Sequence, residues 1–106
     1  MNSKQFDQIV DKRLSSVKEI LSVKAKEYIR NDNPFHNFET GAMMTNVSSF
    51  RVLDSFLLKH LISYRDMMDD IDNGKLPSEE LVNEKFGDII NYFIIQEAQF
   101  KKLINK

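Results

Sequence analysis

The stretch Ser48–Glu80, SSFRVLDSFLLKHLISYRDMMDDIDNGKLPSEE, decides the fold. Phe50, Leu53, Leu57, Leu61, Tyr64, Met68 and Ile71 recur at spacings of three and four, the signature of one face of a long helix opened by Ser48 or Ser49. Phe56, Leu58, Ile62 and Met67 widen that seam beyond what one neighbouring helix would cover. Asn73-Gly74 stops the helix. Leu76-Pro77-Ser78-Glu79-Glu80 then starts another, with Ser78 as N-cap and two acids in the first turn, where the helix dipole favours them. An αα-hairpin is predicted.

Downstream, Val82, Phe86, Ile89, Phe93, Phe100 and Leu103 share one helical face, while Ile90, Ile94 and Ile95 lie off it. Upstream, Phe6, Val10, Leu14, Val17, Leu21, Ala25 and Tyr28 form another apolar face, capped by Asn2 or Ser3. That helix should end near Arg30, because Asn31-Asp32-Asn33-Pro34 is turn chemistry and Pro34 disfavours helix at Asn33. Asn37–Met44 reads as a short helix with Asn37 as cap and Gly41 weakening its interior. No segment alternates as a strand would. The expected architecture is an all-α bundle of three long helices and one short one, a single domain over residues 1–106. Its surplus apolar surface calls for a homo-oligomer, a dimer or tetramer packed through helices.

The 15 Lys and Arg residues against 16 acids give a net charge of −1, which argues against broad nucleic-acid binding, since that needs many phosphate contacts at once. Cysteine is absent, removing disulfides, thiolate catalysis and Cys-ligated metal. The opening MNSKQFD lacks the apolar core of a signal peptide, and no run reaches membrane-spanning length, so a cytoplasmic, non-membrane protein is expected.

The segment Lys24–Phe38, KAKEYIRNDNPFHNF, gathers groups that hold phosphate and a base. Lys24, Lys26 and Arg30 supply cations; Tyr28, Phe35 and Phe38 supply flat rings; Asn31, His36 and Asn37 supply neutral hydrogen-bonding edges. The same rings would serve equally to pin the loop to a core. In the hairpin, Lys59 and His60 flank the apolar seam, where they would contact a ligand or simply reach water. Glu80, Glu84, Asp88 and Asn91 step along one face of the last helix, with Asp66, Asp69 and Asp70 near the turn. Such acids can hold Mg²⁺, although a solvated stripe is their commoner meaning. No G-x-S-x-G, glycine-rich phosphate loop or H-E-x-x-H is present, so any phosphate must be held by side chains.

Lys24–Phe38 together with Asn83–Tyr92, NEKFGDIINY, resembles small phage-encoded proteins, and the second piece is similar to the G-D segment of MazG-like all-α nucleoside triphosphate pyrophosphatases. The resemblance implies an oligomeric helical bundle acting with Mg²⁺ through an E-E-x-x-E and an E-x-x-D motif. Asp88 matches the aspartate, but Lys85 stands three residues before it, with Glu84 one place further back, and the E-E-x-x-E position falls near Lys59, His60 and Ser63. Cations replacing carboxylates would attract phosphate and repel a metal. The expectation is therefore a non-catalytic phage protein, without cofactor, that sequesters a nucleotide or cyclic-nucleotide signal in the host cytoplasm. Its ligand-binding residues would be Lys24, Lys26, Tyr28, Arg30, Asn31, Phe35, His36, Asn37, Phe38, Lys59, His60, Asp88 and Asn91. One alternative is a Mg²⁺-dependent pyrophosphatase in which Glu80, Glu84 and Asp88 hold metal and Glu84 and Asp88 act in catalysis. Another is a protein-binding module using the surplus apolar face.

Overall fold

The structure, a computed structural model, describes residues 1–23 and 29–105. Helices account for its regular structure: α1 (Ser3–Lys18), continued by a π-helical stretch (Glu19–Val23), α2 (His36–Thr45), α3 (Ser49–Asp72) and α4 (Glu79–Ile104). The described residues contain no strand, and the fold is all-α as expected. The chain divides into two compact units, 1–34 and 35–106.

In the first unit, Asn2 caps α1. Its Oδ1 accepts from Gln5 N at 2.9 Å while Gln5 Oε1 accepts from Asn2 N at 2.9 Å, a reciprocal capping box. The expected continuation toward Arg30 passes through residues 24–28, which lie outside the described ones, and Ile29 and Arg30 are no longer helical. Arg30 instead begins a tight turn. Asn33 N donates to Arg30 O at 2.9 Å, and both central residues, Asn31 (φ 55°) and Asp32 (φ 57°), take the left-handed conformation that Asn and Asp tolerate.

The second unit is the hairpin with α2 laid against it. Ser48 Oγ accepts from Arg51 N at 3.2 Å and Ser78 Oγ from Leu81 N at 3.1 Å, so both long helices start where their serines direct. Gly74, at φ 83°, closes α3: Gly74 N donates to Ile71 O and Lys75 N to Asp70 O, the paired bonds of a Schellman end. Helix α2 begins one residue earlier than expected. Phe35, not Asn37, occupies its N-cap and makes no side-chain cap bond, so the cap assigned to Asn37 is corrected.

The two long helices run antiparallel, Phe50 meeting Phe100 at 5.2 Å between ring centroids at one end and Tyr64 meeting Phe86 at 5.6 Å toward the other. The core is Phe38, Val52 and Leu53, packed by Ala42, Tyr92 and Ile95, with Leu57 and Met67 also buried. Met68 and Ile71, expected in the seam, are exposed. Helix α4 departs most from expectation. Its buried residues are Gly87, Asn91 and Gln99, whereas Phe86, Phe93, Phe100 and Leu103 of the expected apolar face stay exposed, Phe86 and Phe100 while touching Tyr64 and Phe50. Polar side chains join Tyr92 and Ile95 in the inner contacts. Gln96 Nε2 donates to Phe50 O at 3.0 Å, and Gln99 Nε2 donates to Gln96 Oε1 at 2.9 Å, tying α4 to the first turn of α3.

Candidate functional site

Midway along the hairpin, the antiparallel packing brings His60 of α3 against Asp88 and Tyr92 of α4, the helix that also carries the buried Asn91. His60 follows Leu57 by three residues and precedes Tyr64 by four, so it shares the inward face of α3. Its imidazole stacks on the Tyr92 ring, centroids 5.4 Å apart and planes 30° from parallel. Its Nδ1 lies 3.4 Å from Asp88 Oδ2, an ion pair whenever the ring is protonated. Distance alone does not make this a hydrogen bond: the angles fail, and the buried Nδ1 has no hydrogen-bond partner among the described residues.

Asn91 presents a second unmet group. It is only 8% exposed, and its Oδ1 is buried with no hydrogen-bond partner among the described residues. Buried acceptors are nearly always satisfied, so two orphaned polar atoms on facing helices mark a place that folding alone does not explain. Burial, helped by the negative charge of Asp88, raises the Tyr92 hydroxyl above its ordinary pKa, so Tyr92 remains a neutral donor through the physiological range. The cluster thus offers a carboxylate, an amide oxygen, an imidazole and a phenol within one apolar seam. Ser55, five residues before His60 on α3, donates its hydroxyl to Val52 O at 2.6 Å.

The other expected residues are placed as follows. Lys24, Lys26 and Tyr28 lie outside the described residues. Arg30 and Asn31 are exposed in the turn of the first unit, and Lys59 is exposed on α3. His36 is half-buried at the start of α2 and Asn37 is exposed. Phe38 is not available for stacking on a ligand; it is buried in the core and packs on Phe56 at 5.8 Å. Glu80 and Glu84 are exposed, and among the described residues no three His, Asp or Glu side chains converge as a metal would require. His60 with Asp88 supplies two such ligands.

Tyr92 belongs to the cluster but not to the expected set. The signal was its position four residues after Asp88, one helical turn on the same face. A second feature also went unread. Phe35 lines a cleft of about 230 Å³ with Glu39, Phe50, Gln99 and Lys102, where Lys102 Nζ sits 3.2 Å from Glu39 Oε2 and 5.4 Å from the Phe35 ring centre.

Comparison of the chain with protein-family models, with curated protein sequences and with solved structures finds no match.

Proposed function

We propose that this chain is an oligomeric, non-catalytic nucleotide-binding protein, a phage sponge that captures a nucleotide or cyclic-nucleotide signal and so counters host antiviral defence. The observation that carries this is the pair of buried polar atoms without partners, His60 Nδ1 and Asn91 Oδ1, beside Asp88 and Tyr92. Asp88 and the Asn91 amide oxygen accept hydrogen bonds, and the imidazole donates or accepts, so the set suits the amino-bearing edge of a nucleobase. Lys59, exposed one residue before His60, supplies a cation for phosphate. The unmet atoms are shielded in the free chain. Entry of a ligand therefore requires the half-buried His60 and Tyr92 rings to turn aside, exchanging their mutual stacking for stacking on the base.

The test is calorimetric titration with a panel of mono-, tri- and cyclic dinucleotides, followed by mass spectrometry of each nucleotide after incubation with Mg²⁺. One class should bind with a dissociation constant of about 1 μM or below, lose its heat in His60→Ala, and be recovered intact. Absence of heat across the panel overturns the proposal. So does release of pyrophosphate that Asp88→Ala abolishes.

A further inference from the structure

The cluster between α3 and α4 is rich in acceptors. Asp88 Oδ2 stands 3.4 Å from His60 Nδ1 at angles that make no hydrogen bond. Neither oxygen of Asp88 accepts a hydrogen bond from any other described residue. Asn91 follows Asp88 by three residues, so the two side chains are neighbours on one face of α4, and the Asn91 Oδ1 is buried and equally unmet. Three acceptor oxygens thus lie within one turn of α4, and the imidazole nitrogen next to Asp88 is a group that serves either as donor or as acceptor.

An acceptor taken out of water without a donor is costly, so the ligand edge that fits is one presenting donors side by side. Adenine and cytosine set one amino group next to a ring acceptor, and uracil sets a single N–H between two carbonyls. Each of these would turn a lone pair toward the oxygens of the cluster. Guanine differs: its ring N–H and 2-amino group are adjacent donors, with the 6-carbonyl next in line. Adjacent donors match the two oxygens of one carboxylate bidentately, as a guanidinium does. The 6-carbonyl then falls beside His60, whose Nδ1–H donates to it. The 3.4 Å between Nδ1 and Oδ2, misaligned for a bond to each other, suits two parallel bonds to neighbouring atoms of one base edge. Asn91 Oδ1, one turn further along α4, takes the outer hydrogen of the 2-amino group.

We infer that the cluster reads guanine: Asp88 accepts from the ring N–H and the 2-amino group, His60 donates to the 6-carbonyl, and Asn91 accepts the remaining amino hydrogen. The inference rests on the nucleotide-binding reading and names the base which that reading leaves open.

The test is calorimetric titration of the full chain with the monophosphates, triphosphates and cyclic dinucleotides of guanosine, inosine, xanthosine, adenosine, cytidine and uridine. In whichever phosphate class binds, the guanine member should bind tightest. Hypoxanthine lacks only the 2-amino group, so the inosine counterpart should bind about 10- to 100-fold more weakly, the loss expected when hydrogen bonds to a charged acceptor are removed. That comparison is made on the parent chain and needs no variant. Asp88→Asn replaces one acceptor oxygen by an N–H₂ donor in the same shape, and xanthine carries a carbonyl where guanine carries its amino group. The variant should therefore lose guanine by about tenfold or more and gain xanthine. A purely structural Asp88 would not exchange one base for another. An adenine, cytosine or uracil nucleotide bound as tightly as its guanine counterpart overturns the base assignment. So does an inosine form bound as tightly as the guanosine form, or an Asp88→Asn chain of parental helicity that loses guanine without gaining xanthine. Each of these leaves nucleotide binding standing, whereas absence of heat with every nucleotide overturns the proposed function and the base assignment with it.

Discussion

Replacing Gly41 with alanine tests how α2 is seated on α3. On an open helix this change stabilises by about 1 kcal/mol, because glycine is the poorer helix former. Here the added Cβ would stand 2.9 Å from Val52 Cγ1, well inside the roughly 3.5–4.0 Å at which carbon atoms rest. Val52 cannot easily yield, since it is buried against Phe38 and Leu53 and its β-branched side chain holds essentially one rotamer in a helix. Overpacking of this kind costs about 1–3 kcal/mol. The propensity gain offsets part of it, leaving Gly41→Ala less stable by up to about 2 kcal/mol. Val52→Ala removes the clashing methyls, so the double variant should be more stable than the sum of the singles by about 1–3 kcal/mol. Urea unfolding followed by circular dichroism at fixed protein concentration measures all four corners of the cycle. A Gly41→Ala chain more stable than the parent, with additive behaviour in the double variant, would refute the close approach of α2 to Val52.

Two further outcomes bear on the cluster. Asn91→Leu removes a buried unmet acceptor and should raise stability by about 1–2 kcal/mol while abolishing nucleotide heat; a destabilised variant would mean that Asn91 is held by folding contacts. Tyr92 keeps its proton in the fold at pH values where the unfolded chain has released it, so unfolding liberates a proton there and stability must fall as pH rises above about 10. Tyr92→Phe should flatten that alkaline fall in a stability series and leave neutral pH unaffected; equal slopes in the two chains would contradict the raised hydroxyl.

Local chemistry made the element boundaries legible. Ser48, Ser78 and Asn2 cap as their side chains direct, and Asn31-Asp32 and Gly74 turn where positive φ is tolerated. What depends on a neighbour was not legible. Gly41 reads in isolation as a helix-weakening residue, and only Val52 on another helix reveals that its missing side chain makes room for packing. Phe38 carries the same residue type as Phe35, yet one fills the core and the other lines a cleft. At the candidate site, residue chemistry picked out His60, Asp88 and Asn91, and the antiparallel register of the hairpin was needed to set Tyr92 against the imidazole.

The misjudged face of α4 and the candidate site have one physical origin. Periodicity locates the apolar side of a helix but not what covers it. In α4 the side turned to α3 is given over to Gly87, Asp88, Asn91 and Gln99, side chains that bring little hydrophobic gain and leave one buried acceptor unmet. A hairpin core of Val52, Leu53, Leu57, Met67 and Phe38 is thin for two helices of 24 and 26 residues. Part of the burial is recovered at the flanks of this polar side, where Phe86 packs on Tyr64 and Phe100 on Phe50, each phenylalanine ring staying partly exposed.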